Sequence, residues 1–137
     1  MTAKYTGGCL CGAVRFAADA DPLFTGNCHC KDCQRTSGGP FTPAMFFMAS
    51  AVTTTGQTTT YRAIADSGKY IERSFCPVCG SQLFGNLEAL PGMLGLRAGT
   101  LDDPSLFQPT VDIYVGSASH WDHMNPGLPK FDKAPPR

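Results

Sequence analysis

The chain has 137 residues with 11 Lys+Arg against 11 Asp+Glu, a balance that excludes the basic excess by which proteins usually grip nucleic-acid phosphates. Apolar residues make up 42% and charged residues 16%, which excludes a disordered chain and suits one globular domain over residues 1–137. No stretch approaches the roughly 18 apolar residues of a membrane span, and Met1-Thr2-Ala3-Lys4-Tyr5 lacks the apolar run of a secretory signal. The expected address is the cytoplasm, where thiols stay reduced.

Strand signals dominate in chain order. Gly12–Ala17 alternates, with Val14 and Phe16 on one side and Arg15 on the other. The middle cysteine run follows, where Lys31–Thr36 predicts one helical turn after Cys30. Phe41–Met48 is an apolar strand after Pro40, and the threonine run Thr53–Thr60, broken by Gly56, reads as a hairpin. Lys69–Phe75 places Ile71, Arg73 and Phe75 on one face, with Tyr70, Glu72 and Ser74 on the other. Ser81–Leu87, Met93–Gly99 and Val111–Val115 are further short strands, most of them flanked by turn residues. Asp102–Phe107 reads as a capped turn with Pro104 in its first helical position. The proline-rich tail from Asn125 to Arg137 is expected to wrap the surface in extended form. Short strands separated by turns, with little helix, predict a mostly β fold.

The seven cysteines carry the chemistry. An odd number excludes a complete set of disulfides within one chain, and all seven sit in tight clusters, a pattern that points to metal. The first cluster, Gly8-Cys9-Leu10-Cys11-Gly12, puts two thiols on one side of an extended segment. The last, Cys76-Pro77-Val78-Cys79-Gly80, is a knuckle in which two intervening residues turn both thiols toward one tetrahedral ion. Each supplies two ligands and a structural zinc takes four, so Cys9, Cys11, Cys76 and Cys79 are expected to share one ion. Two unrelated redox or buried pairs are the competing reading.

The middle cluster, Cys28-His29-Cys30-Lys31-Asp32-Cys33-Gln34-Arg35, supplies three thiols and no fourth. Three protein ligands leave a zinc one open position, as at catalytic sites. His29 could close that site, but between two ligands its side chain points the other way in an extended segment, toward a supporting or a surface role. An iron–sulfur cluster is the other alternative for this spacing. Arg35 is a candidate contact for a substrate carboxylate, with a solvated surface arginine as the bland alternative. Ser37, Gly38 and Gly39 could offer hydrogen-bond donors beside the metal. His120, Asp122 and His123 could supply an acid or base, or be surface groups. Trp121, Phe131, Phe46 and Phe47 read foremost as core residues.

Taken together, these motifs resemble the glutathione-dependent formaldehyde-activating enzyme family, which includes the centromere protein V group. The likeness runs through Gly8-Cys9-Leu10-Cys11-Gly12-Ala13-Val14, Cys28-His29-Cys30-Lys31-Asp32-Cys33-Gln34-Arg35-Thr36-Ser37-Gly38 and Phe75-Cys76-Pro77-Val78-Cys79-Gly80-Ser81. It continues through Gly99-Thr100-Leu101-Asp102-Asp103-Pro104, Ile113-Tyr114, Trp121 and Leu128-Pro129-Lys130-Phe131. The resemblance implies small sheets in a β-tent arrangement with two zinc ions per chain. Cys9, Cys11, Cys76 and Cys79 would hold the structural ion, and Cys28, Cys30 and Cys33 the catalytic one. It also implies condensation of formaldehyde with glutathione to S-hydroxymethylglutathione, formally the reverse of a carbon–sulfur lyase.

The expected function is therefore a zinc-dependent enzyme that forms or cleaves thiol adducts of small aldehydes. Its expected partners are a small thiol, glutathione-like or otherwise, and an aldehyde, with neither nucleic acid nor membrane. The alternatives are a zinc-stabilised binding module without catalysis and a thiol–disulfide protein using Cys76 and Cys79.

Overall fold

The computed structural model describes residues 3–135. It is mostly β, with two sheets and one helix among the described residues. The smaller sheet is antiparallel and contains β1 (Tyr5–Gly8), β2 (Arg15–Ala18) and β5 (Val52–Thr55), in the order β1-β2-β5. The larger contains β3 (Phe24–Cys28), β4 (Thr42–Met48), β6 (Thr59–Ile64), β7 (Tyr70–Phe75), β8 (Gln82–Leu87), β9 (Met93–Arg97) and β10 (Asp112–Ile113). Its order is β10-β3-β4-β9-β8-β7-β6, and only the β10–β3 pairing is parallel. No helix among the described residues is long and apolar enough to cross a membrane.

The two faces of the large sheet differ because side chains alternate along each strand. One face carries Met45, Phe47, Leu83 and Leu96, all fully buried, against Tyr5, Val14, Phe16 and Ala18 from the small-sheet side. Tyr5 meets Phe47 edge-on at 5.3 Å between ring centroids, and Phe16 meets Phe84 at 6.0 Å. Edge-on aromatic pairs of this kind add about 0.5–1.5 kcal/mol each beyond the area they bury. The opposite face carries Gly26, Ala44, Gly85 and Gly95, whose lack of bulk lets the Phe24 and Phe46 rings lie close against Gly26 and Gly95 and leaves a depression beside Gly85.

The strands expected at Phe41–Met48, Lys69–Phe75, Ser81–Leu87 and Met93–Gly99 are all present, each trimmed by one or two residues. Three expectations need correction. The run Thr53–Thr60 is not a hairpin, because β5 joins the small sheet and β6 the large one. Gly56 makes the switch: its φ is +92°, and an added Cβ would lie 2.1 Å from the Ala13 carbonyl oxygen. The strand expected from Gly12 begins at Arg15, since Cys9 to Val14 form a turn with Gly12 at φ +83°. Cys9 and Cys11 thus share a turn and not a strand face. Finally, β1 and β3 were not anticipated, for both carry glycine where a strand usually carries bulk.

The helix α1 (Lys31–Ser37) extends one residue past its expected end and stops where Gly38 takes a left-handed conformation, φ 72°. Asp103 caps the turn at Pro104–Leu106 by accepting from the Ser105 amide, as expected from the sequence. The tail turns at residues 126–128, and only around Lys130 does it run extended beside β10, with the Phe131 amide 3.0 Å from the Asp112 carbonyl oxygen. Pro136 and Arg137 lie outside the described residues.

Gly7 sits where β1 passes closest to the segment around Leu101. An added Cβ there would lie 2.2 Å from the Thr100 carbonyl oxygen and 2.5 Å from Phe16 Cζ. Because a backbone atom cannot step aside as a flexible side chain would, Gly7→Ala should cost about 2–3 kcal/mol of unfolding free energy. Urea titration followed by tryptophan fluorescence measures that loss, and a variant as stable as the parent would refute the crowding argument.

Candidate functional site

The cysteines gather into two groups. Cys9, Cys11, Cys76 and Cys79 bring their sulfurs within 4.8 Å of one another, and so do Cys28, Cys30 and Cys33. None of the seven is in a disulfide. The division therefore follows the four-and-three partition expected from the sequence.

The four-thiol group joins the turn after β1 to the turn after β7. Cys9 Sγ lies 3.6 Å from Cys11 Sγ, which in turn lies 3.7 Å from Cys76 Sγ. Four sulfurs about 2.3 Å from one tetrahedral zinc would stand about 3.8 Å apart, so the spacing suits that ion. Backbone amides also point at the sulfurs, Val14 N–H to Cys9 at 3.2 Å and Val78 N–H to Cys76 at 3.4 Å. Such donors favour thiolate over thiol. The Ser81 hydroxyl, 3.3 Å from Cys79, and then the Ser81 amide pull the Cys79 thiol down to about 5. The donor set fits a cation.

The three-thiol group sits where β3 runs into α1. Cys28 ends the strand, Cys30 caps the helix and accepts from the Cys33 amide at 3.3 Å, and Cys33 is buried in the first turn. Within this group the Cys33 thiol is held below its ordinary range. Hydrogen bonds from the thiols of Cys28 and then Cys30 pull its pKa down, and Thr42 and the positive charge of Arg97 act in the same direction. Cys28 is pushed strongly up by its hydrogen bonds with Cys30 and then Cys33, and by burial. Three converging thiols can all ionise only beside a positive charge, which again fits a metal.

Unlike the four-thiol group, this one opens on a cavity of about 290 Å³ over the outer face of the large sheet. Gly26, Ala44, Gly85 and Gly95 form its floor, and Phe24, Phe46, Ile71 and Leu87 its apolar sides. Cys28, Cys30 and Cys33 stand at one wall with Tyr114. Two arginines, Arg73 and Arg97, also line it. Tyr114 is the one described non-glycine residue with positive φ, 58°. An aromatic side chain in that region is strained, and such strain gathers at functional sites. Burial raises the Tyr114 phenol above its ordinary value, and the negative charges of Cys28 and Cys30 add to the rise, so the hydroxyl keeps its proton.

His29 is neither a ligand nor a surface group. It is fully buried, and its ring points away from the thiols to two carboxylates. Its Nε2 lies 2.8 Å from Asp112 Oδ1, and its Nδ1 meets Asp122 Oδ2. Asp112 is held at its other oxygen by Lys130, 3.3 Å away. Gln34 completes the anchorage, donating to the carbonyl oxygens of His29 at 2.8 Å and Ser117 at 3.0 Å. The segment that carries Tyr114 is thereby fastened to the segment that carries the thiols. Sequence reasoning missed Asp112 and Gln34 in this role. The period-two argument that turned His29 away from its flanking cysteines was the available signal.

Other expected residues are placed elsewhere. Arg35 is exposed on α1 and is not among the residues lining the cavity. Its position in the final helical turn carries it past the rim, and Arg73 and Arg97 supply the positive charge inside. Trp121 is 52% exposed, so it is not a core anchor, and His120 and His123 are exposed. Phe47 is core while Phe46 faces the cavity, as alternation along β4 requires. Of the group around Trp121, only Asp122 reaches the site, through His29.

Fold and site define a class: a mostly β protein with two clusters of free thiols, one of them at the wall of a cavity. The sequence profile of the glutathione-dependent formaldehyde-activating enzymes matches residues 4–117, and the chain belongs to that family. An uncharacterized lyase of Schizosaccharomyces pombe is 30% identical over 81 residues, covering 59% of this chain. The aligned region spans 56% of that lyase's own length. A solved structure of a Rhodobacter sphaeroides protein superposes with a TM-score of 0.59 at 19% identity, covering 92% of this chain and 98% of the other. That likeness concerns the fold.

Replacing His29 with Leu would leave two buried carboxylates facing an apolar side chain. Leaving buried hydrogen-bonding groups without their partner costs about 1–3 kcal/mol, so His29→Leu should lose at least that much stability in a denaturant titration. A loss below about 1 kcal/mol would show that the two carboxylates do not depend on His29.

Proposed function

We propose that the chain is a carbon–sulfur lyase-type enzyme that forms or cleaves hemithioacetals between a thiol and a small aldehyde. The observation that carries this reading is the convergence of Cys28, Cys30 and Cys33 at the wall of a cavity, while the other four thiols converge elsewhere. Family membership and the lyase name of the yeast relative support it. Glutathione and formaldehyde, which the family's name joins, are the first pair to test.

In this reading Cys9, Cys11, Cys76 and Cys79 hold a structural zinc that staples the two sheets in a β-tent arrangement. Cys28, Cys30 and Cys33 hold a second. Zinc bound by three thiolates supplies a soft Lewis acid with a free position suited to a substrate thiol, whose pKa it lowers. The chain's own groups do the rest. The apolar sides of the cavity exclude water and confine the aldehyde near the sulfur, which favours addition through proximity. The thiol sulfur attacks the carbonyl carbon, a C–S bond forms, and the carbonyl π electrons pass to oxygen. Tyr114, kept protonated by burial, donates its proton to that oxygen and recovers one from solvent. The proton lost by the thiol also leaves to solvent, and cleavage runs the same steps backward.

Exchange NMR on mixtures of formaldehyde and glutathione should show faster interconversion with the protein present than without it. No acceleration with this or other thiol–aldehyde pairs would favour a zinc-stabilised binding module. Tyr114→Phe should reduce the acceleration roughly 100-fold while leaving metal content unchanged. Cys30→Ser should remove one of two zinc ions per chain and leave the far-ultraviolet circular dichroism intact. If Cys30→Ser unfolds the chain instead, the three-thiol site is structural and the enzyme reading loses its main support.

A further inference from the structure

Arg73 breaks the pattern of the strand that carries it. The cavity face of β7 presents Ile71 and Arg73, with Leu87 on the neighbouring strand beside Ile71, so an apolar residue would suit the place. Arg73 is nevertheless only 6% exposed. Arginines buried to that degree are almost always paired, because an uncompensated charge away from water is costly. Among the described residues no carboxylate lies within ion-pair distance of Arg73 or Arg97, the ion pairs being made by Lys4, Arg15, His29, Arg62 and Lys130.

The two arginines differ in what they face. Arg97 is hydrogen-bonded to the Cys33 side chain, yet its Nε is buried without a hydrogen-bond partner. Arg73 has no thiol or carboxylate to answer its charge. Directly across the sheet from Arg73 comes Gly85, which leaves the floor open beside the guanidinium, and then Gly95, over which the Phe46 ring lies. Two like charges lining one cavity repel each other, so the arrangement lacks an anion that enters from outside. Lys31, Asp32 and Asp66 also line the cavity, but all three are exposed to solvent and answer neither guanidinium.

We propose that Arg73, with the unpartnered edge of Arg97, forms an anion subsite that selects thiols bearing a carboxylate. The proposal rests on the reading of this cavity as the thiol site. It assigns Arg73 to the non-reacting end of the substrate: a planar guanidinium takes a carboxylate in two parallel hydrogen bonds, fixing the direction in which the molecule lies. The thiol end then points across the cavity toward the cysteine wall.

Matched probes separate charge from the rest of the molecule. Calorimetric titration of the metal-loaded protein would use 3-mercaptopropionate and 6-mercaptohexanoate, each against its own carboxamide. At one length at least, the acid should bind about tenfold more tightly than the amide. That ratio should fall to near one in Arg73→Met and be kept in part in Arg73→Lys, whereas a purely structural Arg73 would leave it unchanged. Acetate gives the same test without a variant, since it should compete with the acid and not with the amide. Equal binding of acid and amide at both lengths, or a ratio that survives Arg73→Met, overturns the subsite and leaves the thiol reading standing. If none of the four compounds binds, the thiol reading itself fails and the subsite falls with it.

Discussion

The candidate site depends on a buried histidine held between two aspartates. His29 lies between two cysteines in sequence, and turning its ring inward to Asp112 and Asp122 turns their sulfurs the other way, into the cavity. The same contacts bring β10 alongside β3 and set Tyr114 against the thiols. Burying three ionisable groups together is expensive, and the cost is met only because each has a partner. One anchored ring therefore orients the thiols, closes the cavity wall and fixes the strained tyrosine.

A second constraint acts at the other thiol group. The turn after β1 belongs to the small sheet and the knuckle after β7 to the large one, so four sulfurs meet where the two sheets come together, beside the hydrogen bond from the Leu10 amide to the Ser81 hydroxyl. Amides aimed at Cys9 and Cys76 prepare this corner for negative charge before any cation arrives. The two thiol groups thus differ in surroundings more than in spacing: one is wrapped by turns, the other is open to a cavity floored by glycine. Ligand counting set the two groups apart in the sequence, and the cavity sets them apart in space.

The sequence made some of this legible. Alternation revealed β7, an apolar run revealed β4, flanking turn residues marked β8 and β9, and ligand counting gave the grouping of the thiols. It failed where residues serve a contact distant in the chain. β1 escaped notice because Gly7 is required by the approach of the Thr100 carbonyl, which no local pattern records. The threonine run looked like a hairpin because strand propensity cannot tell which sheet a strand will join, and Gly56 marks a crossing over Ala13. Arg35 drew attention by standing beside the cysteines in sequence, while Arg73 and Arg97 reach the cavity from strands far along the chain. Even so, the reading that put Arg73 on one face with Ile71 and Phe75 had placed a charge among apolar neighbours, and that anomaly was the legible trace of the site.

The parallel pairing of β10 with β3 has a consequence for how the protein is made. His29 meets its carboxylates across 83 and 93 residues of chain, so the wall beside the thiols closes only after Asp112 and Asp122 have emerged. Contacts of such separation form late, because loop closure comes before any gain from them. During synthesis Cys28, Cys30 and Cys33 are therefore on hand well before their shelter is, open to whatever metal or oxidant the nascent chain encounters. A reducing environment and early capture of a cation would protect this site most during biosynthesis, before the cavity exists to guard it.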